Sequence, residues 1–112
     1  MSYKSQLLID GKQVGTVTPP LVHTTTIKCE RFTARPGDVS IRCVRTRDRD
    51  LFYALTDGAR RRLPDLEIRN EDGRFMRLIR PLVLGGFGDP PRGRRNCVAQ
   101  SVNLRPERIG DR

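Results

Sequence analysis

One stretch in the middle of the chain, residues 46–69, constrains the fold most, because it carries the only helical pattern in the sequence. Thr46 or Asp48 supplies a short side-chain oxygen that can cap a first turn, and Gly58 suits the left-handed residue that ends a helix. The apolar residues near one face at helical spacing are Leu51, Phe52, Leu55 and Ala59. Pro64 forbids continuation, so the sequence predicts one short helix over about 48–57 that leads into a strand.

The chain before this helix reads as strands and turns. Residues 3–18 predict a hairpin, because the Asp10-Gly11 pair between two β-prone runs favours a type I′ turn. Pro19 and Pro20 are expected to stop its second strand, since proline cannot donate to a strand ladder. Residues 21–33 are rich in β-branched side chains and predict one long strand, and residues 35–38 predict a tight turn.

Alternating apolar residues predict strands on both sides of the helix. Residues 39–44 form the first, with Val39, Ile41 and Cys43 on one face. After the helix, residues 66–69 and 74–84 predict a second hairpin around an Asp-Gly turn. Arg80-Pro81 predicts a bulge or a break in the returning strand.

The last part of the chain predicts a loop, a strand and a tail. Residues 85–95 are rich in Gly, Pro and Arg without periodicity, and predict a flexible loop. Residues 96–104 predict a final strand, with Val98, Gln100, Val102 and Leu104 on one face, and residues 105–112 predict a frayed tail. The whole chain, 1–112, therefore predicts a single mainly β domain. Its expected form is a small antiparallel barrel or sandwich of six to seven strands with one helix packed against it.

Charge is the strongest compositional signal. The chain has 22 Lys and Arg against 13 Asp and Glu, a net charge of +9, and nearly all of the basic residues are arginine. Arginine favours planar bidentate partners such as carboxylates and phosphates. Three interpretations remain open: a polyanion as partner, pairing with acidic residues across subunit interfaces, or a solvated surface in a chain from a high-GC genome, which favours arginine codons. The candidate polyanion or interface contacts are Arg60, Arg61, Arg62, Arg92, Arg94 and Arg95.

Residues for catalysis or metal binding form no convincing set. The only histidine is His23, and Cys29, Cys43 and Cys97 are widely spaced, so the sequence predicts no catalytic residues, no metal site and no cofactor. Cys97 follows three nearby arginines and is either a reactive thiol or, more commonly, an inert one. No apolar run reaches the length of a membrane span, and the N-terminus lacks the apolar segment of a signal peptide.

The order of elements from residue 39 to about residue 104 resembles the tube-forming family of haemolysin-coregulated protein (Hcp) and its phage tail-tube relatives. The stretches that carry the resemblance are Ile41 to Val44, Asp48 to Gly58, Leu66 to Ile68, Asp72-Gly73, Leu82 to Leu84 and Val98 to Leu104. The resemblance implies a small β-barrel with a side helix that assembles into rings, usually of six, which stack into a hollow tube. It implies no catalytic residues.

Two functions of different classes follow. The first is a non-enzymatic structural subunit that self-assembles into rings or a tube in a phage tail or contractile secretion apparatus. Its expected partners are other copies of itself and other components of that machine, and its expected location is the cytoplasm or a virion. The hairpin 3–18 is expected to reach the next subunit. The second is a small basic β-barrel that binds nucleic acid or another polyanion, with Phe75 and Phe87 as the only aromatic residues beside arginines that suit base stacking.

Overall fold

The structure is a computed structural model that describes residues 4–22, 27–28, 33–89 and 97–110. Its single described helix, α1, spans Arg49–Thr56. The strands in chain order are β1 (Ser5–Ile9), β2 (Lys12–Val22), β3 (Ile27–Lys28), β4 (Thr33–Ala34), β5 (Val39–Thr46), β6 (Leu66–Arg69), β7 (Phe75–Ile79), β8 (Leu82–Gly88), β9 (Cys97–Arg105) and β10 (Arg108–Gly110). The prediction of a mainly β fold with one short helix is confirmed.

Eight of these strands form one antiparallel sheet in the order β10-β7-β6-β1-β2-β5-β9-β8, and β3 pairs only with β4. The eight strands exceed the six to seven predicted. Strands β7 and β8 follow each other along the chain but lie near opposite ends of the sheet, with only Arg80 and Pro81 between them. A connection this short requires the two ends to lie close together, so the sheet curls into a half-barrel.

The first hairpin forms as predicted, with positive φ angles at Asp10 (53°) and Gly11 (76°). The predicted stop at Pro19 and Pro20 is wrong, because β2 continues to Val22. A register shift between Thr18 and Leu21 places the two prolines in a bulge, where a missing N–H does not interrupt regular pairing. The hairpin is also no projecting arm, since β1 pairs with β2 and β6, and β2 pairs with β1 and β5.

The prediction of a single strand over 21–33 is also wrong for the residues that the structure describes. Leu21 and Val22 end β2, while Ile27–Lys28 pairs with Thr33–Ala34 as a separate short ladder. His23 and Cys29 lie outside the described residues. The turn that follows forms as predicted, because the Asp38 N–H donates to the Arg35 carbonyl at 3.0 Å.

Strand β5 changes its buried face partway along. Val39 and Ile41 are buried as predicted, but Cys43 is exposed and Val44 is buried instead. The cause is a bulge against β2 at which Cys43 adopts a φ of 49°.

Strand β9 makes the same change, which corrects the predicted grouping of Val98, Gln100, Val102 and Leu104. Ala99 is buried opposite Val44, and Val102 is buried opposite Ile41. Gln100 is exposed, at the position of the face change in β5.

The predicted break at Arg80-Pro81 forms, with a φ of 42° at Arg80, and it separates β7 from β8. Two neighbouring predictions are wrong. Residues 85–88 of the expected loop complete β8, and residues 108–110 of the expected frayed tail pair with β7 as β10. Because β10 finds a partner for its backbone in β7, this part of the tail is held in the sheet.

Helix α1 begins at the predicted cap. The Asp48 carboxylate accepts the Leu51 N–H at 3.1 Å, and Gly58 follows the helix with a φ of 75°. The buried residues of the helix are Leu51, Phe52 and Leu55, whereas Ala59 is exposed. The helix packs against β5, β8 and β9 and joins the one hydrophobic cluster that fills the curled sheet. Within the described ranges, no helix has both the length and the apolar character needed to cross a bilayer.

Candidate interaction surfaces

The arginines predicted as polyanion contacts lie in two places. Arg60, Arg61 and Arg62 are exposed on the segment that follows α1, and Arg92, Arg94 and Arg95 lie outside the described residues. Arg61 pairs with Asp57, with Nη2 and Oδ2 2.7 Å apart. The Ala59 N–H and the Arg61 side chain donate hydrogen bonds to Asp57 and hold the pKa of its carboxyl below the usual 3.8.

Arg62 contributes to a seam at which residues 61–63 pair with residues 81–83, where the sheet curls back on itself. Its Nη1 donates to the Arg80 carbonyl at 2.5 Å and lies 3.8 Å from the Glu107 carboxylate. The backbone beside it pairs with the start of β8, since the Leu63 N–H donates to Pro81 and the Val83 N–H donates to Arg61, each at 2.8 Å. This arginine therefore has acceptors within its own chain.

Asp65 and Glu107 are the acidic residues that contact arginines beside this seam. The Asp65 carboxylate accepts the Arg80 N–H at 2.9 Å and pairs with Arg77 at 3.1 Å. Glu107 lies 3.7 Å from the Arg80 guanidinium as well as close to Arg62. The acidic residues here are thus engaged by arginines of the same molecule.

The two terminal strands of the sheet each expose a large apolar side chain. Phe87 on β8 is 65% exposed, and Ile109 on β10 is 38% exposed. Among the described residues, β10 pairs only with β7, and residues 85–88 of β8 pair only with β9. Sequence analysis placed both residues outside regular structure, so their position on sheet edges was missed.

Gly86 and Gly88 explain why Phe87 faces outwards. A Cβ on Gly86 would lie 2.5 Å from the Leu55 carbonyl oxygen, and one on Gly88 would lie 3.1 Å from the Phe52 ring. These two positions therefore face the helix at close approach, and the alternation of a strand turns Phe87 to the other side.

A row of arginines lies on the exposed side of β5 and just beyond its end. Arg42, Arg45 and Arg47 are exposed, and Arg45 and Arg47 border an open groove of about 290 Å³. A regular strand would turn Arg42 and Arg45 to opposite faces, so the bulge at Cys43 is what exposes both. No local sequence signal at Cys43 indicates this bulge.

A second groove, of about 300 Å³, lies between the turn at 35–38 and the end of β9. Asp38 and Arg105 both line this groove, and the Asp38 carboxylate accepts two hydrogen bonds from Arg105, from Nε at 2.9 Å and from Nη2 at 3.0 Å. These hydrogen bonds raise the pKa of Arg105. The pair ties the residue before β5 to the end of β9.

Metal-binding and nucleophilic groups are dispersed in the part of the chain that the structure describes. No three His, Cys, Asp or Glu residues there lie close enough to hold a metal ion. Cys97, whose reactivity was left open, is buried, and Cys43 is exposed.

Comparisons with protein-family models, with curated proteins and with solved structures gave no match to this chain. The resemblance to the Hcp and tail-tube family therefore stays a prediction. The surfaces that bear on function are the two terminal strands with their exposed Phe87 and Ile109, and the arginines on and just beyond β5.

Proposed function

We propose that this protein is a non-enzymatic structural subunit that assembles with copies of itself through the two terminal strands of its sheet. The observation that supports this most is the pair of exposed apolar residues, Phe87 on β8 and Ile109 on β10, at opposite ends of one sheet. Terminal strands present unpaired N–H and C=O groups to any strand that approaches them. Exposed apolar side chains on such strands add contact area that favours association.

Pairing of β8 on one copy with β10 on the next copy is a head-to-tail contact. Contacts of this type generate closed rings when the rotation between subunits closes, and open filaments when it does not. The resemblance to the Hcp and tail-tube family points to rings, with six subunits as the expected number, within a phage tail or contractile secretion apparatus. The role first expected for the hairpin 3–18 passes to these two strands, because that hairpin is central in the sheet.

The alternative function, nucleic-acid binding through the arginines after α1, has less support at those positions. Arg61 already pairs with Asp57, and Arg62 donates to the Arg80 carbonyl and lies 3.8 Å from the Glu107 carboxylate in its own chain. Of the two aromatic residues suggested for stacking, Phe75 is half-buried and has the Arg69 guanidinium 5.6 Å from its ring centre. Only Phe87 is well exposed, and a lone ring is a poor platform for successive bases.

The test compares three variants of the full chain by size-exclusion chromatography with light scattering. Phe87→Glu and Ile109→Glu each place a charge on one proposed edge, while Tyr53→Glu changes an aromatic residue that is 51% exposed on the helix. We expect the two edge variants to shift the protein towards the 12.8 kDa monomer and the helix variant to keep the wild-type mass. Thermal unfolding of each variant checks that the subunit itself still folds.

Equal loss of assembly in all three variants would contradict the edge assignment, because it would show a general sensitivity to surface charge. Wild-type mass in both edge variants would contradict it equally. A mixture of Phe87→Glu and Ile109→Glu subunits adds a sharper check. Each variant retains one intact edge, so a head-to-tail contact predicts dimers in the mixture, and their absence counts against that geometry.

A further inference from the structure

The bulge in β5 creates a surface that the strand pattern alone would not produce. Along this strand the burial of side chains changes face at Cys43, so that Arg42 and Arg45 are both exposed. Arg47 follows just beyond the strand and is exposed as well. We call Arg42, Arg45 and Arg47 the β5 strip.

The strands beside the β5 strip contribute no carboxylate to it. Arg42 lies between Thr18 of β2 and Ser101 of β9 in the sheet register. Arg45 lies between Thr16 of β2 and Val98 of β9. Its immediate cross-strand neighbours are therefore uncharged, and the threonine and serine hydroxyls are further hydrogen-bond donors.

The guanidinium groups of Arg42 and Arg45 also differ from those of several other arginines, which are paired within the chain. Among the described residues neither makes a hydrogen bond or an ion pair, whereas Arg61, Arg77 and Arg105 are each paired with an aspartate. Part of the surplus positive charge of the chain therefore lies uncompensated on Arg42 and Arg45. The adjoining groove adds Gln13 and Thr16 as polar groups beside Arg45 and Arg47.

We infer that the β5 strip binds the phosphate backbone of a nucleic acid without reading its sequence. Arginine forms bidentate, charge-assisted hydrogen bonds with phosphate oxygens. At about 3.3 Å per strand residue the strip extends over roughly 16 Å. Successive phosphates of one duplex strand advance about 3.4 Å along the helix axis, so the strip faces several of them. The strip has no aromatic side chain for base stacking, which favours contact with the backbone.

The other occupant with suitable charge is an acidic face on a second copy of this chain. It is disfavoured because Asp38, Asp57, Asp65 and Glu107 are each paired with an arginine of their own molecule, and the exposed Asp10, Asp50 and Glu71 lie on two separate turns and on α1. The nucleic-acid proposal does not depend on assembly through β8 and β10. Binding and subunit association are measured separately, so either proposal can fail alone.

The first test measures fluorescence anisotropy of labelled 20-nucleotide single strands and 20-base-pair duplexes with nuclease-treated protein across a salt series. The strip variant replaces Arg42, Arg45 and Arg47 with Gln. The control variant replaces Arg35, Arg61 and Arg74 with Gln; all three are exposed, none lies on β5, β8 or β10, and their loss removes the same charge. We expect the strip variant to bind at least tenfold more weakly and the slope of log K against log salt to fall by about 2 to 3.

The control variant should lose much less affinity and keep most of its salt slope. Equal losses in the two variants would overturn the proposal, because net charge would then account for binding. Absence of wild-type binding to both nucleic acids at low salt would overturn it as well. If binding depends on the strip for either nucleic acid, the tighter of the two identifies the preferred form.

The second test uses the wild-type chain and so does not depend on how well a variant folds. Cys43 lies between Arg42 and Arg45 on β5 and is exposed, whereas Cys97 is buried. Mass spectrometry of peptides can follow alkylation of Cys43 by iodoacetamide with and without saturating nucleic acid. We expect bound nucleic acid to slow alkylation at least fivefold, and an unchanged rate at saturation would overturn the assignment.

Discussion

The Asp38 carboxylate, which is 1% exposed, accepts two hydrogen bonds from the Arg105 guanidinium at 2.9 and 3.0 Å. The same carboxylate accepts the Arg35 N–H at 2.8 Å and so holds the turn that leads into β5. Arg105 also donates to the Thr33 carbonyl at 3.2 Å. One ion pair therefore joins β4, the turn after it and the end of β9.

Replacement of Arg105 with Ala should destabilise the protein because the buried Asp38 carboxylate loses its charged partner. Removal of one partner from a fully buried pair costs about 3–5 kcal/mol, and the 30% exposure of the Arg105 side chain reduces the expected cost to about 2 kcal/mol. Urea unfolding monitored by circular dichroism measures this change. Arg108→Ala, an exposed neighbour, is the control, and an equal loss in both variants would contradict a specific role for the pair.

The cap of α1 gives a second prediction. The Asp48 carboxylate accepts the Leu51 N–H. Thr46 holds Asp48 in place, because its hydroxyl accepts the Asp48 N–H at 3.0 Å and donates to the Val14 carbonyl at 2.6 Å. Asp48→Ala should cost about 1 kcal/mol of unfolding free energy. Asp50→Ala, which changes a charge in the first turn without removing the cap, should cost only about 0.3 kcal/mol. A larger loss at Asp50 than at Asp48 would contradict the assigned cap.

The close approach of α1 to β8 predicts the effect of adding one methyl group. A Cβ at residue 86 would lie 2.5 Å from the Leu55 carbonyl oxygen, so Gly86→Ala must displace the helix or the strand. We expect a loss of about 1–3 kcal/mol in chemical denaturation. Gly110→Ala, whose nearest atom would be 4.0 Å away, should leave stability nearly unchanged. Similar stabilities for the two variants would show that helix and strand are less closely packed than described.

Asp57 gives a prediction about pH. Its pKa in the folded protein lies below 3.8, so its ionised form stabilises the fold above about pH 4, and this contribution disappears as pH falls from 3.8 through the folded value. Asp57→Asn should therefore lower the melting temperature at pH 7, and this effect should shrink progressively as pH falls below 3.8. A difference for Asp57→Asn that stays constant as pH falls below 3.8 would contradict this account.

Local chemistry accounts for the parts of the fold that the sequence predicts well. The Asp10-Gly11 turn, the Asp48 cap and the Gly58 terminus each depend on residues next to one another in the chain. The Arg80-Pro81 break belongs to the same group, although the separation of β7 and β8 to opposite ends of the sheet depends on distant partners.

Tertiary pairing explains the features that were missed. The bulge at Cys43 arises from register against β2, and β2 passes through Pro19 and Pro20 for the same reason. The exposed positions of Arg42 and Arg45 follow from that bulge, so alternation along β5 alone does not predict the strip. Phe87 was assigned to a loop because its glycine neighbours suggest flexibility, whereas Gly86 instead allows the helix to approach.

The most direct test of the central claim is the mass of the nuclease-treated wild-type chain in solution, with negative-stain images of the same sample. Assembly through β8 and β10 predicts rings or tubes with masses many times the 12.8 kDa of one chain. A uniform monomer at concentrations well above those used for imaging would contradict self-assembly.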